Sequence, residues 1–355
     1  MIKTLLSLRK LLQATHEHHE AEDGIQERFR ELLEPRFRTT AKARANRLQY
    51  LQKNFFSTLF LSIYAALGIP PARRLFYGRV NHCIRGLVTA TDNILDDEYK
   101  ELLPLNFPEP AIRFKSVMHL LCFDRILEGI CRQAMRDGVL APALLEALLD
   151  AIFRAMVPIG AEEAMEEGGI TEILPPATVL DSVHMYKGGK LLCLAFTAPL
   201  LLETERVESL RLAETGIYRI GMALQVIDDL TDFHEDLLHQ NHNYLVSSVY
   251  HGGEATERER LSAILAQPGE MPEGVEELFP DTLRLVMAQA IGEALAGFAA
   301  LEEAGFWYNE RQARRIIRFL FAIRGVGHLL SFFPEPGHTL RLSPPSVSAR
   351  DMSTS

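Results

Sequence analysis

The chain has 355 residues, of which 47% are hydrophobic, so it is long enough to bury a large core and too apolar to be intrinsically disordered. It carries 47 acidic and 37 basic residues, a formal net charge of -10, and it has no long run of lysine or arginine. This balance argues against a nucleic-acid-binding function, because a basic surface is the usual footprint of such proteins.

The cysteines and the apolar stretches indicate where the protein resides. Four cysteines lie in apolar segments without CxxC spacing, which disfavours disulfides and zinc sites and favours a reducing cytoplasm. The N-terminus has no long apolar region or cleavage site, so no signal peptide is predicted. The most apolar stretches, residues 55–70 and 191–202, are shorter than the roughly 20 residues of a membrane-spanning helix. We therefore predict a cytoplasmic protein without a transmembrane segment.

Helical periodicity runs through most of the chain. Apolar residues recur at intervals of three and four, as in Ile217, Ile220, Leu224 and Ile227, and strand-like alternation is nearly absent. An all-α bundle with a central cavity is therefore predicted. We expect residues 1–50 to form an N-terminal helical extension, residues 51–333 to form one domain, and residues 334–355, rich in proline and serine, to be a disordered tail.

Two charged segments are interpreted as solvent-facing. His16, His18 and His19 alternate with glutamates near the N-terminus, and histidine and glutamate are metal ligands. A charge run at helical spacing is nevertheless more often a solvated face. The glutamates within residues 162–167 lack an apolar frame and are interpreted in the same way.

A first acidic cluster follows the apolar segment that begins at residue 86. It contains Asp92, Asn93, Asp96 and Asp97. Residues four apart share one face of a helix, so the carboxylates of Asp92 and Asp96 are predicted to point the same way. The Asn93 oxygen is also able to accept a hydrogen bond or to coordinate a cation.

A second acidic cluster repeats this spacing in the other half of the chain. Asp228, Asp229 and Asp232 follow the apolar run that contains Gln225. Carboxylates are rarely placed beside such runs unless they are paired or bind a metal. Two helices that face each other across a cavity would present the oxygen ligands that Mg²⁺ prefers, in position to bind a diphosphate.

Four motifs in order resemble one enzyme family, the trans-isoprenyl diphosphate synthases or polyprenyl synthetases. Residues 221–232 (GMALQVIDDLTD) resemble the second aspartate-rich motif, FQxxDDxxD, and Asp92-Asn93-Ile-Leu-Asp96 resembles the first, DDxxD. Between them, Lys187-Gly-Gly-Lys resembles the Lys-Thr motif and Phe123-Asp124-Arg125 resembles the Gly-Asp-x-Leu stretch. Together the motifs cover roughly residues 50–250.

The resemblance implies an all-α isoprenoid synthase fold in which three Mg²⁺ ions bind together with an allylic prenyl diphosphate. It further implies that the allylic diphosphate ionises, that isopentenyl diphosphate attacks the carbocation, and that the protein forms a homodimer. The implied catalytic residues are Asp92, Asp96, Asp228 and Lys187. The implied metal ligands are Asp92, Asp96, Asp228, Asp229 and Asp232. The implied diphosphate-binding residues are Lys53, Lys187 and Gln225, and to these we add Lys100 and Arg85, which this chain carries where it departs from the family.

The chain departs from the family at the acceptor site. Residues 52–57 keep Lys53 of the acceptor-binding Gly-Lys-Arg-x-Arg-Pro motif but lack both arginines. The arginine pair that follows the first acidic motif is also missing, and Lys100 lies near its place. Arg85 precedes the first acidic cluster and either faces the same cavity or caps a helix at the surface.

These departures leave alternative functions open. Gln225, Asp232, Glu235-Asp236 and Asn243-Tyr244-Leu245 also resemble the second acidic motif of squalene and phytoene synthases. Those enzymes join two prenyl diphosphates head to head and need no isopentenyl diphosphate site. A class I terpene cyclase and a non-catalytic lipid-binding or partner subunit are further alternatives.

Overall fold

The computed structural model describes residues 2–40, 46–96, 99–267, 274–306 and 309–332. Within these ranges the regular structure is helical, and the β-type pairing amounts to one isolated antiparallel bridge between Arg38 and Leu105. The predicted all-α architecture is confirmed. Asp97 of the first acidic cluster and the predicted tail lie outside the described residues.

Helices are spread over all of the described ranges. The first part of the chain forms α1 (Ile2–Leu32), α2 (Arg47–Lys53), α3 (Phe55–Ala66), α4 (Pro71–Leu95), α5 (Ile112–Arg136) and α6 (Leu145–Ala164). The middle part forms α7 (Pro176–Val179), a π-helix (Leu180–Lys190), α8 (Leu191–Cys193), α9 (Thr197–Leu202), α10 (Val207–Thr231), α11 (Phe233–His239) and α12 (Tyr244–Gly252). The last part forms α13 (Ala255–Ala266), α14 (Val275–Leu278), α15 (Pro280–Glu303) and α16 (Glu310–Ile323).

The long helices bury the stripes that their periodicity predicts. The repeat on α10 that contains Ile217, Ile220, Leu224 and Ile227 is buried, and α10 packs along α15. On the other side of the bundle, α4 packs along α5, and α1 packs against α3 and α4. These apolar faces join in one hydrophobic core. Burial of these stripes supplies the main favourable term that holds the bundle together.

Helix α1 belongs to this same core. Its residues Ala14, Ile25 and Phe29 are buried among the core side chains. A buried ion pair adds a polar connection, because the Glu17 carboxylate accepts hydrogen bonds from Nε, at 2.9 Å, and from Nη2 of Arg74 on α4. The division at residue 50 stays a prediction, although α1 shares the core of the residues that follow it.

One described helix, α15, is long and apolar enough to cross a membrane. The two stretches predicted to be the most apolar are shorter and do not include α15. Leu283, Met287 and Ile291 of α15 are buried, and the helix packs against α10. A core helix meets the same length and composition criterion, so this finding carries little weight for a membrane location.

The π-helix and α10 approach each other through glycine. A Cβ atom placed on Gly221 would lie 2.3 Å from the carbonyl oxygen of Gly188, and one placed on Gly188 would lie 2.5 Å from the carbonyl oxygen of Gly221. Glycine is required at both positions, because any side chain would overlap with rigid backbone. This contact brings the helix that carries Lys187 against the segment of α10 that carries Gln225.

Two glycine-to-alanine variants test this contact. Gly221→Ala forces the helices apart, and we expect the free energy of unfolding to fall by about 1–3 kcal/mol. Gly129→Ala on α5 is the matched control, since no atom beyond the adjacent residues and backbone of its own helix lies within 4 Å of the added Cβ. The control removes a flexible residue from a helix and should raise the free energy of unfolding by about 0.5–1 kcal/mol. Urea unfolding followed by circular dichroism measures both, and equal values would contradict the proposed close packing.

Candidate active site

A cavity of about 780 Å³ opens between α3, α4, the segment after the π-helix and the end of α16. Phe55, Phe56 and Phe60 form part of an apolar wall together with aliphatic side chains of α4 and residues 191–195. The charged residues that line the same cavity are Lys53, Arg85, Asp92 and Arg324. The cavity thus combines an apolar interior with charged groups of both signs.

The first acidic cluster lies where α4 ends at this cavity. Asp92 is partly buried, and burial, followed by the charges of Glu163 and Asp96, raises the pKa of its carboxyl to about 7. Asp96 occupies the C-cap position of α4 and is exposed. The positive charge of Lys100 lowers the pKa of Asp92. Lys100, which was also predicted to belong to the site, therefore lies near the first acidic cluster.

Asn93 has a structural partner in the first cluster. Its side-chain nitrogen donates to the carbonyl oxygen of Lys100 at 3.1 Å, and its oxygen accepts from the backbone N–H of Lys100 at 3.0 Å. Asn93 is 1% exposed. The side chain therefore holds the segment after α4 in place, and its oxygen is engaged by backbone rather than presented for coordination.

Lys187 lies on the π-helix between two glutamates. Its ammonium contacts the carboxylates of Glu163 at 2.7 Å and Glu166 at 2.8 Å. Burial by itself would lower the pKa of Lys187, but the two carboxylates outweigh that effect and raise it. The solvent-facing interpretation is wrong for Glu166, whose side chain is 8% exposed. Lys187 also acts electrostatically on Asp92, so the structure brings these two predicted residues together.

The second acidic cluster divides into two environments. Asp228 is partly buried at the end of α10 and accepts a hydrogen bond from Arg324 at 2.6 Å. Burial raises the pKa of the Asp228 carboxyl to about 7, against the opposing charge of Arg324. Asp232 is exposed one turn further on, where burial of part of its carboxyl also raises its pKa. Arg324 acts on both carboxylates, so they lie at the rim that Arg324 shares with the cavity.

Asp229 points away from this rim into the protein. It is 4% exposed, and its Oδ2 atom accepts from the backbone N–H of Tyr244 at 2.6 Å and lies 2.9 Å from Nε2 of His184. Its Oδ1 atom accepts from the side-chain amide of Gln225 at 3.2 Å. The structure thus places both Asp229 and Gln225 in an internal hydrogen-bond network.

Three residues of this site were missed by the sequence analysis: Glu163 and Glu166 as partners of Lys187, and Arg324 as the partner of Asp228. Arg324 is separated from Asp228 by 96 positions along the chain and lies just after α16. A lone arginine at a helix end has no local signature of such a role. The glutamates belong to a charge run that has no sign of burial in the sequence. One side of this run is buried because the π-helix packs against α6.

The rim carboxylates, which lie in two pairs, have the ligand chemistry that suits a divalent cation. Asp92, Asp96, Asp228 and Asp232 present oxygen ligands of the kind that Mg²⁺ prefers. The raised pKa values of Asp92 and Asp228 show that the surrounding groups do not compensate two negative charges in partly buried positions. A bound cation would supply that compensation. Asp229 differs from these residues, because protein groups already occupy both of its oxygens.

Comparison with known proteins identifies the fold. No protein-family model and no curated protein sequence matches the chain. A decaprenyl diphosphate synthase from Rhodobacter capsulatus is structurally similar, with a TM-score of 0.58 and 14% identity over 88% of this chain and 99% of that chain. A polyprenyl synthase from Roseobacter denitrificans has a TM-score of 0.55 and 13% identity over 90% of this chain and 98% of that chain. A geranylgeranyl pyrophosphate synthetase from Pyrococcus horikoshii has a TM-score of 0.54 and 15% identity over 89% of this chain and 98% of that chain.

These similarities establish the fold expected from the motifs. The match extends over nearly the whole of each synthase, so the chain has the trans-isoprenyl diphosphate synthase fold. At 13–15% identity the comparison does not carry substrates or residue roles from those proteins to this one.

The pH dependence of stability tests the environment of Asp92. Because its pKa is raised from 3.8 to about 7, the unfolded chain releases this proton at lower pH than the folded chain does. The contribution of Asp92 to the free energy of unfolding therefore falls as pH rises from about 4 to about 7. Asp92→Asn removes the carboxyl group and with it this loss of stability at higher pH. The variant should therefore have a free energy of unfolding about 1–2 kcal/mol higher near pH 8, and the difference should shrink towards pH 4.

Urea unfolding at several pH values measures this difference. Asp150→Asn is the matched control, because the Asp150 side chain is 62% exposed and pairs only with Arg154 among the ion pairs of the described residues. We expect its effect to stay within about 0.5 kcal/mol at every pH. A gain for Asp92→Asn that does not change with pH would show that burial of the charge is not its cause.

Proposed function

We propose that this chain is a Mg²⁺-dependent prenyltransferase that ionises an allylic prenyl diphosphate and condenses it with isopentenyl diphosphate. The observation that carries this proposal is the arrangement of two acidic helix ends at one apolar cavity. Asp92 lines the cavity at the end of α4, and Arg324 lines it while bound to Asp228 at the end of α10. The isoprenoid synthase fold supports the same activity.

The metal would be held by the rim carboxylates. We assign this role to Asp92, Asp96, Asp228 and Asp232, whereas Asp229 positions its neighbours from inside the protein. When bound, Mg²⁺ neutralises the charge that develops on a diphosphate leaving group. The surplus of negative charge at the rim supports a role in binding metal. The diphosphate of the substrate is also negative, so cations are needed between the rim carboxylates and the diphosphate.

Cationic side chains on both sides of Asp92 would bind the allylic diphosphate. Lys187 and Lys100 both act electrostatically on Asp92, and Arg324 lies across the rim beside Asp228. An ammonium or guanidinium donates charge-assisted hydrogen bonds to phosphate oxygens. Gln225 lies on the same segment of α10 and orients Asp229 through its amide. These groups would hold the diphosphate while its bond to the allylic carbon breaks.

The acceptor would bind at the part of the cavity lined by Lys53 and Arg85, which we call the acceptor wall, although the family arginines next to Lys53 are absent. The guanidinium of Arg85 donates to Oδ1 of Asn54 at 2.8 Å, which fixes its position towards the cavity. Between the two charged regions, the phenylalanines of α3 provide an apolar surface for prenyl chains, and a volume of about 780 Å³ is within the range of small-molecule sites.

The environment of Asn243 favours elongation over head-to-head coupling. A head-to-head synthase also binds two diphosphates, so a second cationic region at Lys53 and Arg85 suits either reaction and the distinction rests on Asn243. Asn243, which suggested the squalene and phytoene synthase motif, donates to the Asp229 carbonyl at 2.6 Å and to Asp236 at 2.8 Å. Its oxygen accepts from the N-terminal N–H groups of α12. The Asn243 side chain therefore connects the end of α10 and α11 to the start of α12, and it does not line the cavity.

Product analysis with the purified chain tests the activity. With Mg²⁺, isopentenyl diphosphate and allylic diphosphates of increasing length, we expect pyrophosphate release and longer prenyl diphosphates, identified by mass spectrometry. Asp92→Asn and Asp228→Asn should each lower kcat/KM by at least about 100-fold, because each removes charge that a divalent cation requires. Asp150→Asn on the surface of α6 is the control and should retain full activity.

The same assay distinguishes the alternatives. Release of pyrophosphate without incorporation of isopentenyl diphosphate would indicate cyclisation, and a product of two allylic chains would indicate head-to-head coupling. If no allylic diphosphate releases pyrophosphate with Mg²⁺, with or without isopentenyl diphosphate, the chain is not an enzyme of this class.

A variant of Arg85 tests the assignment of the acceptor wall. Arg85→Gln should raise KM for isopentenyl diphosphate about 10- to 100-fold, because a charge-assisted hydrogen bond is lost, and should leave KM for the allylic substrate unchanged. Arg125→Gln is the matched control, since the Arg125 side chain is 66% exposed on α5. Equal increases in both KM values would contradict the separation of donor and acceptor sites.

A further inference from the structure

We propose a second metal site, separate from the acidic rim, formed by His18, Glu22 and His82 and suited to Zn²⁺. One ring nitrogen of each histidine and one carboxylate oxygen of Glu22 lie within 4.8 Å of one another. His18 and Glu22 are one turn apart on α1, and His82 lies on α4. None of the three lines the cavity described above.

The two histidines have buried nitrogen atoms without hydrogen-bond partners. Nε2 of His18 and Nδ1 of His82 are inaccessible to solvent, and neither has a partner among the described residues. His18 is 1% exposed, so its interpretation as a solvent-facing residue is wrong. A buried polar atom is normally satisfied, and one that is not calls for an explanation such as a bound ion. Both atoms belong to histidines whose rings converge with the Glu22 carboxylate, which indicates a place for a cation.

Tyr50 holds His18 in the form that binds a metal. The Tyr50 hydroxyl donates to Oε2 of Glu22 at 2.8 Å and contacts Nδ1 of His18. Because the hydroxyl proton goes to Glu22, the Tyr50 oxygen accepts the Nδ1 proton of His18. Nε2 of His18 then carries the lone pair. Metal-ligating histidines are typically oriented in this way by a hydrogen bond from their other nitrogen. The ring of His19 stacks on Tyr50 with centroids 3.8 Å apart and supports the phenol.

The ligand types select the metal. Two imidazoles and one carboxylate match the His₂Glu sets that bind Zn²⁺ with one position left open, whereas Mg²⁺ and Ca²⁺ prefer oxygen ligands alone. The acidic rim and this cluster should therefore bind different metals.

Occupancy of this site would join two parts of the fold. It would connect α1 to α4 one turn before Arg85, whose guanidinium lines the cavity. The ion pair between Glu17 and Arg74 already links the same two helices. A metal would stabilise the packing of α1 and so the wall on which Arg85 lies. This is a structural role rather than a catalytic one.

Cobalt substitution tests the proposal on the full-length chain. After removal of metals with a chelator and dialysis, Co²⁺ should produce the visible absorption of a nitrogen-ligated, low-coordinate site, and Zn²⁺ should abolish it by competition. At a Zn²⁺ concentration 100-fold above Kd, Tm should rise by about 3–4 °C. His18→Asn and His82→Asn should each remove the absorption and the rise in Tm. His16→Asn is the matched control, because His16 is exposed on the same helix.

Two further variants keep the result interpretable. Tyr50→Phe retains all three ligands and should weaken Zn²⁺ binding about 10- to 100-fold, which tests the site even if the histidine variants do not fold. The double variant Asp92→Asn/Asp228→Asn should keep the full Co²⁺ absorption, which separates this site from the acidic rim and from the proposed activity.

Three outcomes would overturn the proposal. Absence of Co²⁺ absorption together with a Tm insensitive to chelator would show that the cluster is a polar network satisfied by water. Loss of the absorption in His16→Asn would place the metal elsewhere on α1. Loss in the double aspartate variant would place it at the acidic rim.

Discussion

The site depends on the hydrogen bonds that surround the buried carboxylate of Asp229. A charge that is 4% exposed requires hydrogen bonds, and three separate elements supply them: His184 from the π-helix, Gln225 from α10 and the Tyr244 N–H from α12. Removal of one donor leaves part of a buried charge unsatisfied, so these elements are held together around it. Asp228, next in sequence, is thereby fixed at the rim of the cavity.

The rest of the site follows from an uneven distribution of charge. Lys187 is bound by two glutamates and Asp228 by Arg324, yet burial still raises the pKa values of Asp92 and Asp228. A protein selected for stability alone would not gather carboxylates there. Such a conflict with stability is typical of functional sites, where charge is placed for a ligand rather than for folding. The close contact of the π-helix with α10 through Gly188 and Gly221 serves the same arrangement, because it brings the two charged segments together.

Prediction from sequence succeeded where the signal was local. The periodicity of α10 predicted its buried stripe, and the spacing of Asp92 with Asp96 and of Asp228 with Asp232 predicted residues that the structure places near one another in pairs. It failed where neighbouring helices changed the environment. His18 and Glu166 have the polar sequence neighbours of solvated residues, but packing against α4 and the π-helix buries them. Asn93 has the position of a ligand, but its partner is the backbone of Lys100.

The sequence by itself determined that the chain is an all-α bundle with two acidic helix ends, because helical periodicity and one-turn spacing involve residues close along the chain. Only the tertiary structure decided which charges meet. Arg324 pairs with Asp228 across 96 positions, and His82 of α4 joins His18 and Glu22 of α1. Such contacts depend on how helices pack, and packing is set by the shape of the whole core rather than by any local pattern.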